Sequence, residues 1–203
     1  MLGRETLDDR ADPLAPPRED LEAAVRSWYP SVDATELDRI AELVGAYCSS
    51  RLATRLASLP GARPERPFAF EHDGVLLHGR LDVLFREGAD ALVVDYKSNA
   101  LEGRDPAEIV EGEYRLQRLV YALACLRDGL ERVEVVYQFL ERPDDVVSAT
   151  FSLSDVPLLE ATLSEAIDRI RTSEFRPTPS AFVCADCPAL DLVCAGPRLS
   201  DAR

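Results

Sequence analysis

The chain has 203 residues, 46% hydrophobic and 30% charged, the balance of an ordinary soluble globular domain with a buried core, and no apolar stretch long enough for a bilayer span of roughly 20 residues. Its 37 acidic and 23 basic residues give a formal charge of −14, which argues against a free-standing nucleic-acid binder, because phosphate contacts depend on clustered Lys and Arg. Five cysteines, an odd number behind an N-terminus too charged for a signal peptide, argue against a secreted disulfide framework and for a cytoplasmic protein with thiols or metal ligands.

Residues 1–20 carry prolines among alternating charges and no apolar period, as a linker or the ragged edge of a cut chain would. From Leu21 to Leu59 the residues Leu21, Val25, Trp28, Leu37, Ile40, Leu43, Val44, Tyr47, Leu52 and Leu56 recur mostly at helical steps, predicting two or three amphipathic helices punctuated by Pro30 and Pro60. The period then falls to two. PFAFEHDGVLLHGRLDVLF reads as two strands joined at Asp73-Gly74, a dipeptide that tolerates the positive φ of a tight hairpin, and ALVVDYK follows as a third strand after the turn REGAD.

Residues 106–127 predict a helix with Pro106 in its first turn and Ile109, Tyr114, Leu116, Leu119, Val120, Leu123 and Leu126 on its apolar face. Strands over 131–140 and 145–153, a helix over 155–172 and a Pro- and Cys-bearing tail complete the order. Helices, three strands, a helix, two strands and a helix define an α/β or α+β domain with a mixed sheet.

Asp82 and Asp95 interrupt two of these apolar runs. If their strands are neighbours, both acids can share a face near the strand ends, and a period of two turns Lys97 to the same side as Asp95. Carboxylates this close repel each other in a low dielectric, and a divalent cation relieves the repulsion; Mg²⁺ suits oxygen ligands, waters and phosphate. Metal, acid and lysine together can activate water for in-line attack on a phosphodiester. The same residues also suit a satisfied salt-bridge cluster at a sheet edge.

The order G-R-L-D, a turn, then V-V-D-Y-K resembles the PD-(D/E)XK nuclease superfamily, and within it the C-terminal nuclease domain of RecB/AddA-type helicase–nucleases. GEYRLQRLVYALA is similar to that family's helical Q-x-x-x-Y motif, carried by Gln117 and Tyr121 at i and i+4. The stretch before Asp82, with Glu65 and Phe68, extends the likeness, which spans roughly residues 35 to 195.

The resemblance implies a restriction-endonuclease-like mixed β-sheet flanked by helices. Residues 21–203 would form a single nuclease domain, helical over 21–60, with the catalytic core at 65–172 and a cysteine-containing tail at 173–203. It implies Mg²⁺ or Mn²⁺ held by Asp82, Asp95 and the Tyr96 carbonyl, water positioned by Lys97, and lysine and phosphate supported by Gln117 and Tyr121. Its substrate would be single-stranded DNA delivered by a helicase domain of the same or a partner chain during double-strand-break repair. Such delivery answers the objection from net charge, with Arg80, Arg104, Arg115 and Arg118 available to line a local groove.

Two departures from the family pattern stand out. The early helices lack the usual extra histidine or acidic ligand; either it lies upstream of Met1, or Glu36 or Glu42 substitutes, and without it the domain could be a catalytically silent module that binds DNA or a partner protein. In the tail, Cys184, Cys187 and Cys194 follow C-x2-C-x6-C, a spacing suited to zinc or, as in related nucleases and with Cys48 as distant fourth ligand, to a [4Fe–4S] cluster; free thiols are the alternative. Cys125 reads as packing and His78 as a solvent-facing strand residue.

Overall fold

A computed structural model describes residues 15–172 together with Cys184, Cys187, Ala189 and Cys194; the expectations for residues 1–14 and for the rest of the tail lie outside the described residues. The chain forms two compact units, Met1–Glu160 and Ala161–Arg203. Among the described residues no helix is long and apolar enough to cross a membrane.

Three helices open the first unit: α1 (Arg18–Trp28), α2 (Ala34–Cys48) and α3 (Arg51–Ala57). Side chains fix the starts of the last two. Asp33 and Glu36 form a reciprocal capping box at α2, and Ser50 accepts from the Ala53 N–H at α3. Helix α1 has a helical pattern but buries none of its residues, and Trp28 is 82% exposed, so the expected apolar face of Leu21, Val25 and Trp28 is not core.

Five strands form one sheet in the order β1-β2-β3-β4-β5: β1 (Arg63–His72), β2 (Val75–Glu87), β3 (Asp90–Lys97), β4 (Arg132–Phe139) and β5 (Val147–Ser152). The first hairpin turns at Asp73 (φ 49°) and Gly74 (φ 71°), the left-handed pair that the dipeptide permits. Only β3 and β4 run parallel. Their crossover is one helical run with an unforeseen defect: α4 (Pro106–Ile109), a π-helical segment Val110–Tyr114, then α5 (Arg115–Arg127). The widened π turn rotates the helix beyond it, and Leu116, expected on the apolar face, is 43% exposed.

The β3 run ALVVDYK is apolar on both sides because both sides of this central strand are covered. Leu92 and Val94 join Leu52, Leu56 and Val136 beneath α3, with Val83, Phe85 and Tyr96 packed against them. The odd-numbered residues Val93 and Asp95 face the other way, toward the side of the sheet on which α5 packs against β4. Gln138, fully buried on the α3 side, donates to Ser50 Oγ at 3.0 Å and the Pro143 carbonyl at 2.9 Å, tying the start of α3 to the end of β4. His72 is also structural, with Nδ1 2.8 Å from Arg127 and Nε2 3.2 Å from the Glu160 carbonyl. A 3₁₀ turn (Leu153–Asp155) leads into α6 (Val156–Arg171), where Leu159, Leu163 and Ile167 are buried at four-residue spacing.

Candidate active site

Val83 and Val94 are the last pair of the β2–β3 ladder, so Asp82 and Asp95 stand opposite each other one step beyond it. The β1–β2 ladder also skips Asp82, and Glu65, which would face it, has a left-handed φ of 53°. In place of a ladder bond, the Tyr96 N–H donates to Asp82 Oδ2 at 2.9 Å, fixing that carboxylate against the β3 backbone.

A glycine prepares this approach. Phe68 lies over Gly79, where an added Cβ would come within 2.8 Å of the ring, and meets Tyr121 of α5 edge-on at 5.9 Å. Gly79 therefore belongs to the α5 face, and strict alternation would send Asp82, three residues on, to the opposite one. The pairing register is the same on both sides of the skipped pair, so the irregularity there breaks the alternation of faces and not the register, and it turns Asp82 toward Asp95.

Asp95 is 3% exposed, and Lys97 Nζ lies 2.5 Å from its Oδ1. That contact is an ion pair off the axis of a hydrogen bond, so Oδ1 is a buried carboxylate oxygen without an aligned donor. Burial pushes the Asp95 carboxyl above the ordinary carboxylate range; Lys97 pulls the other way, and the charge of Asp82 adds to the rise. Burial foremost, then the charges of the two aspartates, pushes the pKa of the Tyr121 hydroxyl upward.

Lys97 is gripped from three sides. Besides Asp95, it donates to Gln117 Oε1 at 3.1 Å and stands 4.0 Å above the centre of the Tyr114 ring. Asp82, Asp95, Lys97, Gln117 and Tyr121 thus come together at the end of the central strand rather than at a sheet edge. The structure adds Tyr114 and Tyr137, which no sequence motif marked. Tyr137 is the register partner of Asp95 on β4, and its ring stacks on Tyr114 with centroids 5.7 Å apart. The Tyr96 ring lies on the α3 side of the sheet, its hydroxyl 3.1 Å from that of Tyr47, so only its backbone belongs with the aspartates.

The donor chemistry fits a hard divalent cation: two carboxylates converge, and one presents a buried oxygen with no aligned donor. No third ligand joins them, since among the described residues no three His, Cys, Asp or Glu side chains are placed to hold a metal ion. Glu36 closes the α2 capping box and Glu42 is exposed. In the tail, Cys184 is buried, Cys187 intermediate and Cys194 exposed. Cys48, the expected distant ligand, ends α2. Cys125 is buried, and burial pushes its thiol up to about 11, as packing requires.

The four arginines expected to line a groove are each paired with an acid: Arg80 with Glu65 at 3.0 Å, Arg104 with Glu113 at 2.9 Å, and Arg115 and Arg118 with Glu111 at 3.6 and 2.7 Å. The two aspartates, the lysine two residues on and the helical Gln–Tyr pair lie together on a five-stranded mixed sheet. Residues 5–194 match the model of the PD-(D/E)XK nuclease superfamily, and the chain belongs to that superfamily. Nucleases of this superfamily generally use Mg²⁺ or Mn²⁺. No curated protein sequence matches the chain. Among solved structures, SSO0001 is similar at 18% identity and TM-score 0.45, covering 86% of this chain and 82% of its own. A candidate exonuclease from Eubacterium rectale is similar at 12% identity and TM-score 0.49, covering 91% of this chain and 75% of its own.

Proposed function

We propose that the chain is a Mg²⁺- or Mn²⁺-dependent phosphodiester hydrolase that cuts single-stranded DNA, working as the nuclease domain of a RecB/AddA-type helicase–nuclease in double-strand-break repair. The observation that carries this reading is the convergence of Asp82 and Asp95, with a buried, unaligned Asp95 oxygen, beside an ammonium held on three sides.

Asp82 and Asp95 would hold the cation, with the Tyr96 carbonyl as a further oxygen. A bound divalent cation supplies a Lewis acid for the phosphate and lowers the pKa of a coordinated water. The rest falls to side chains. Tyr121, buried like Asp95, helps wall the carboxylates from solvent. Lys97, fixed by Gln117 and Tyr114, orients the attacking water and faces the negative charge that grows on the phosphate oxygens.

Two features support an unpaired strand as substrate. Tyr29 is 69% exposed and, with Arg39, Ile40 and Leu43 of α2, lines a cleft of about 560 Å³ that reaches Ser98, the residue after Lys97. Trp28 beside it is 82% exposed, so the end of α1 offers aromatic faces for bases that a duplex would keep stacked. The paired arginines and the net charge of −14 support delivery by a motor over unaided capture. Changing Trp28 and Tyr29 together to alanine is expected to raise KM for a single-stranded oligonucleotide about tenfold or more, at about 1–3 kcal/mol per stacked base, with kcat nearly unchanged. An unaltered KM would remove this surface from the strand's path.

The missing third ligand favours a second reading, a nuclease-fold module that binds DNA without cutting it. The two separate in one assay. With Mg²⁺ or Mn²⁺, the chain should degrade labelled single-stranded DNA, and EDTA should stop it; binding without cleavage, in this chain and in one extended upstream, would select the silent module.

A further inference from the structure

Tyr137 belongs to no motif of the sequence and lies 0% exposed beneath the site. Its hydroxyl is 3.2 Å from Gln117 Oε1 and 3.5 Å from the Tyr114 carbonyl, and its single proton goes to the nearer acceptor. Gln117 Oε1 also accepts from Lys97 Nζ at 3.1 Å. Two donors hold the amide in this orientation: turned over, it would set an N–H against an ammonium that cannot accept, and the Tyr137 hydroxyl would have to give up the 3.2 Å bond and turn its proton to the more distant Tyr114 carbonyl. The Gln117 NH₂ is thereby held on the side away from Tyr137 and Lys97. The Tyr137 ring meanwhile backs the Tyr114 ring, on which Lys97 rests, at 5.7 Å and 22°.

We propose that Tyr137 is a positioning residue: by holding the Gln117 oxygen on Lys97 it fixes the ammonium beside Asp95 and leaves the Gln117 amide protons free for a phosphate oxygen of the bound strand. The inference rests on the nuclease reading of Asp82, Asp95 and Lys97. It assigns a role to a β4 residue outside the motif-bearing strands and helix, and it explains why a hydroxyl is buried where a valine or phenylalanine would pack with less desolvation.

Tyr137→Phe removes one oxygen and keeps the ring stack. On the full chain with Mg²⁺ and a labelled single-stranded oligonucleotide, kcat should fall about tenfold while KM moves less than about twofold. In a Gln117→Ala background the same change should alter kcat by less than about twofold, because its effect passes through the amide. Equal losses in both backgrounds would overturn the proposal. A second readout needs no catalysis: the Gln117 side-chain ¹³Cδ resonance should move upfield in Tyr137→Phe, as an accepted hydrogen bond is lost. An unmoved resonance overturns the positioning role even in an inactive protein. The expected shift in a wild-type chain that cuts nothing would sink the nuclease reading and leave the hydrogen-bonded unit intact.

Discussion

Lys97→Ala is expected to lower kcat on single-stranded DNA by about 100- to 1,000-fold, the loss typical when a preorganised charge facing the transition state is removed. KM should move little, since Lys97 is only 11% exposed at its side chain and, in the proposed reading, would meet the strand at the reacting phosphate rather than along its length. Arginine should not restore activity. Its planar fork is wider than an ammonium, and the space is set by the Tyr114 ring 4.0 Å away, Gln117 Oε1 at 3.1 Å and Asp95 at 2.5 Å. Cleavage that survives Lys97→Ala in steady-state assays would place the chemistry elsewhere.

The second large effect separates function from stability at a single residue. Asp95→Asn should abolish detectable cleavage and yet raise the unfolding temperature of the metal-free chain near neutral pH. The sign follows from the direction of the Asp95 shift. Burial raises its carboxyl in the folded state above the unfolded value, so the folded chain binds more protons in the interval between them. Stability therefore falls as pH rises through that interval, and above it the full cost of a buried charge is carried. Asparagine escapes that cost. The gain from Asp95→Asn should be present at neutral pH and shrink as pH falls toward the unfolded carboxylate value of about 3.9. A variant less stable than wild type at neutral pH would mean that the ion pair with Lys97 outweighs burial. In activity the same competition should show as an acid limb that moves to lower pH as Mg²⁺ is raised, because cation and proton exclude each other at this carboxylate. A limb indifferent to Mg²⁺ would separate Asp95 from the cation.

Much of this site could be read from local chemistry. Asp73-Gly74 fixed the first hairpin because few dipeptides accept two left-handed residues, and the pairing of β2 with β3 follows from it through a second tight turn. Spacing of two put Lys97 beside Asp95, and spacing of four put Gln117 and Tyr121 on one stretch of α5. What escaped depends on contacts between distant segments. Tyr137 reads as one more apolar strand residue until the parallel register with β3 sets it level with Asp95. Tyr114 reads as part of a uniform helix face, and nothing in VEGEY announces the π turn that holds it beside Lys97.

Alternation alone would also have placed Asp82 wrongly relative to Gly79. The irregular backbone at Glu65 and Asp82 brings Gly79 and Asp82 both to the α5 face with the register unchanged, and residue type does not encode such a break in alternation. Helix α1 shows the converse failure: its apolar residues keep helical spacing but meet no core, so periodicity revealed the helix and not its surroundings.

The central claim is that one divalent ion joins Asp82 and Asp95. Its most direct test is a Mn²⁺ titration followed by electron paramagnetic resonance of the free ion, on wild type, Asp82→Asn and Asp95→Asn. Wild type should take up Mn²⁺ at a site that Mg²⁺ competes for, and either substitution alone should abolish it. Equal uptake by all three proteins, or loss with only one substitution, would contradict a shared ion.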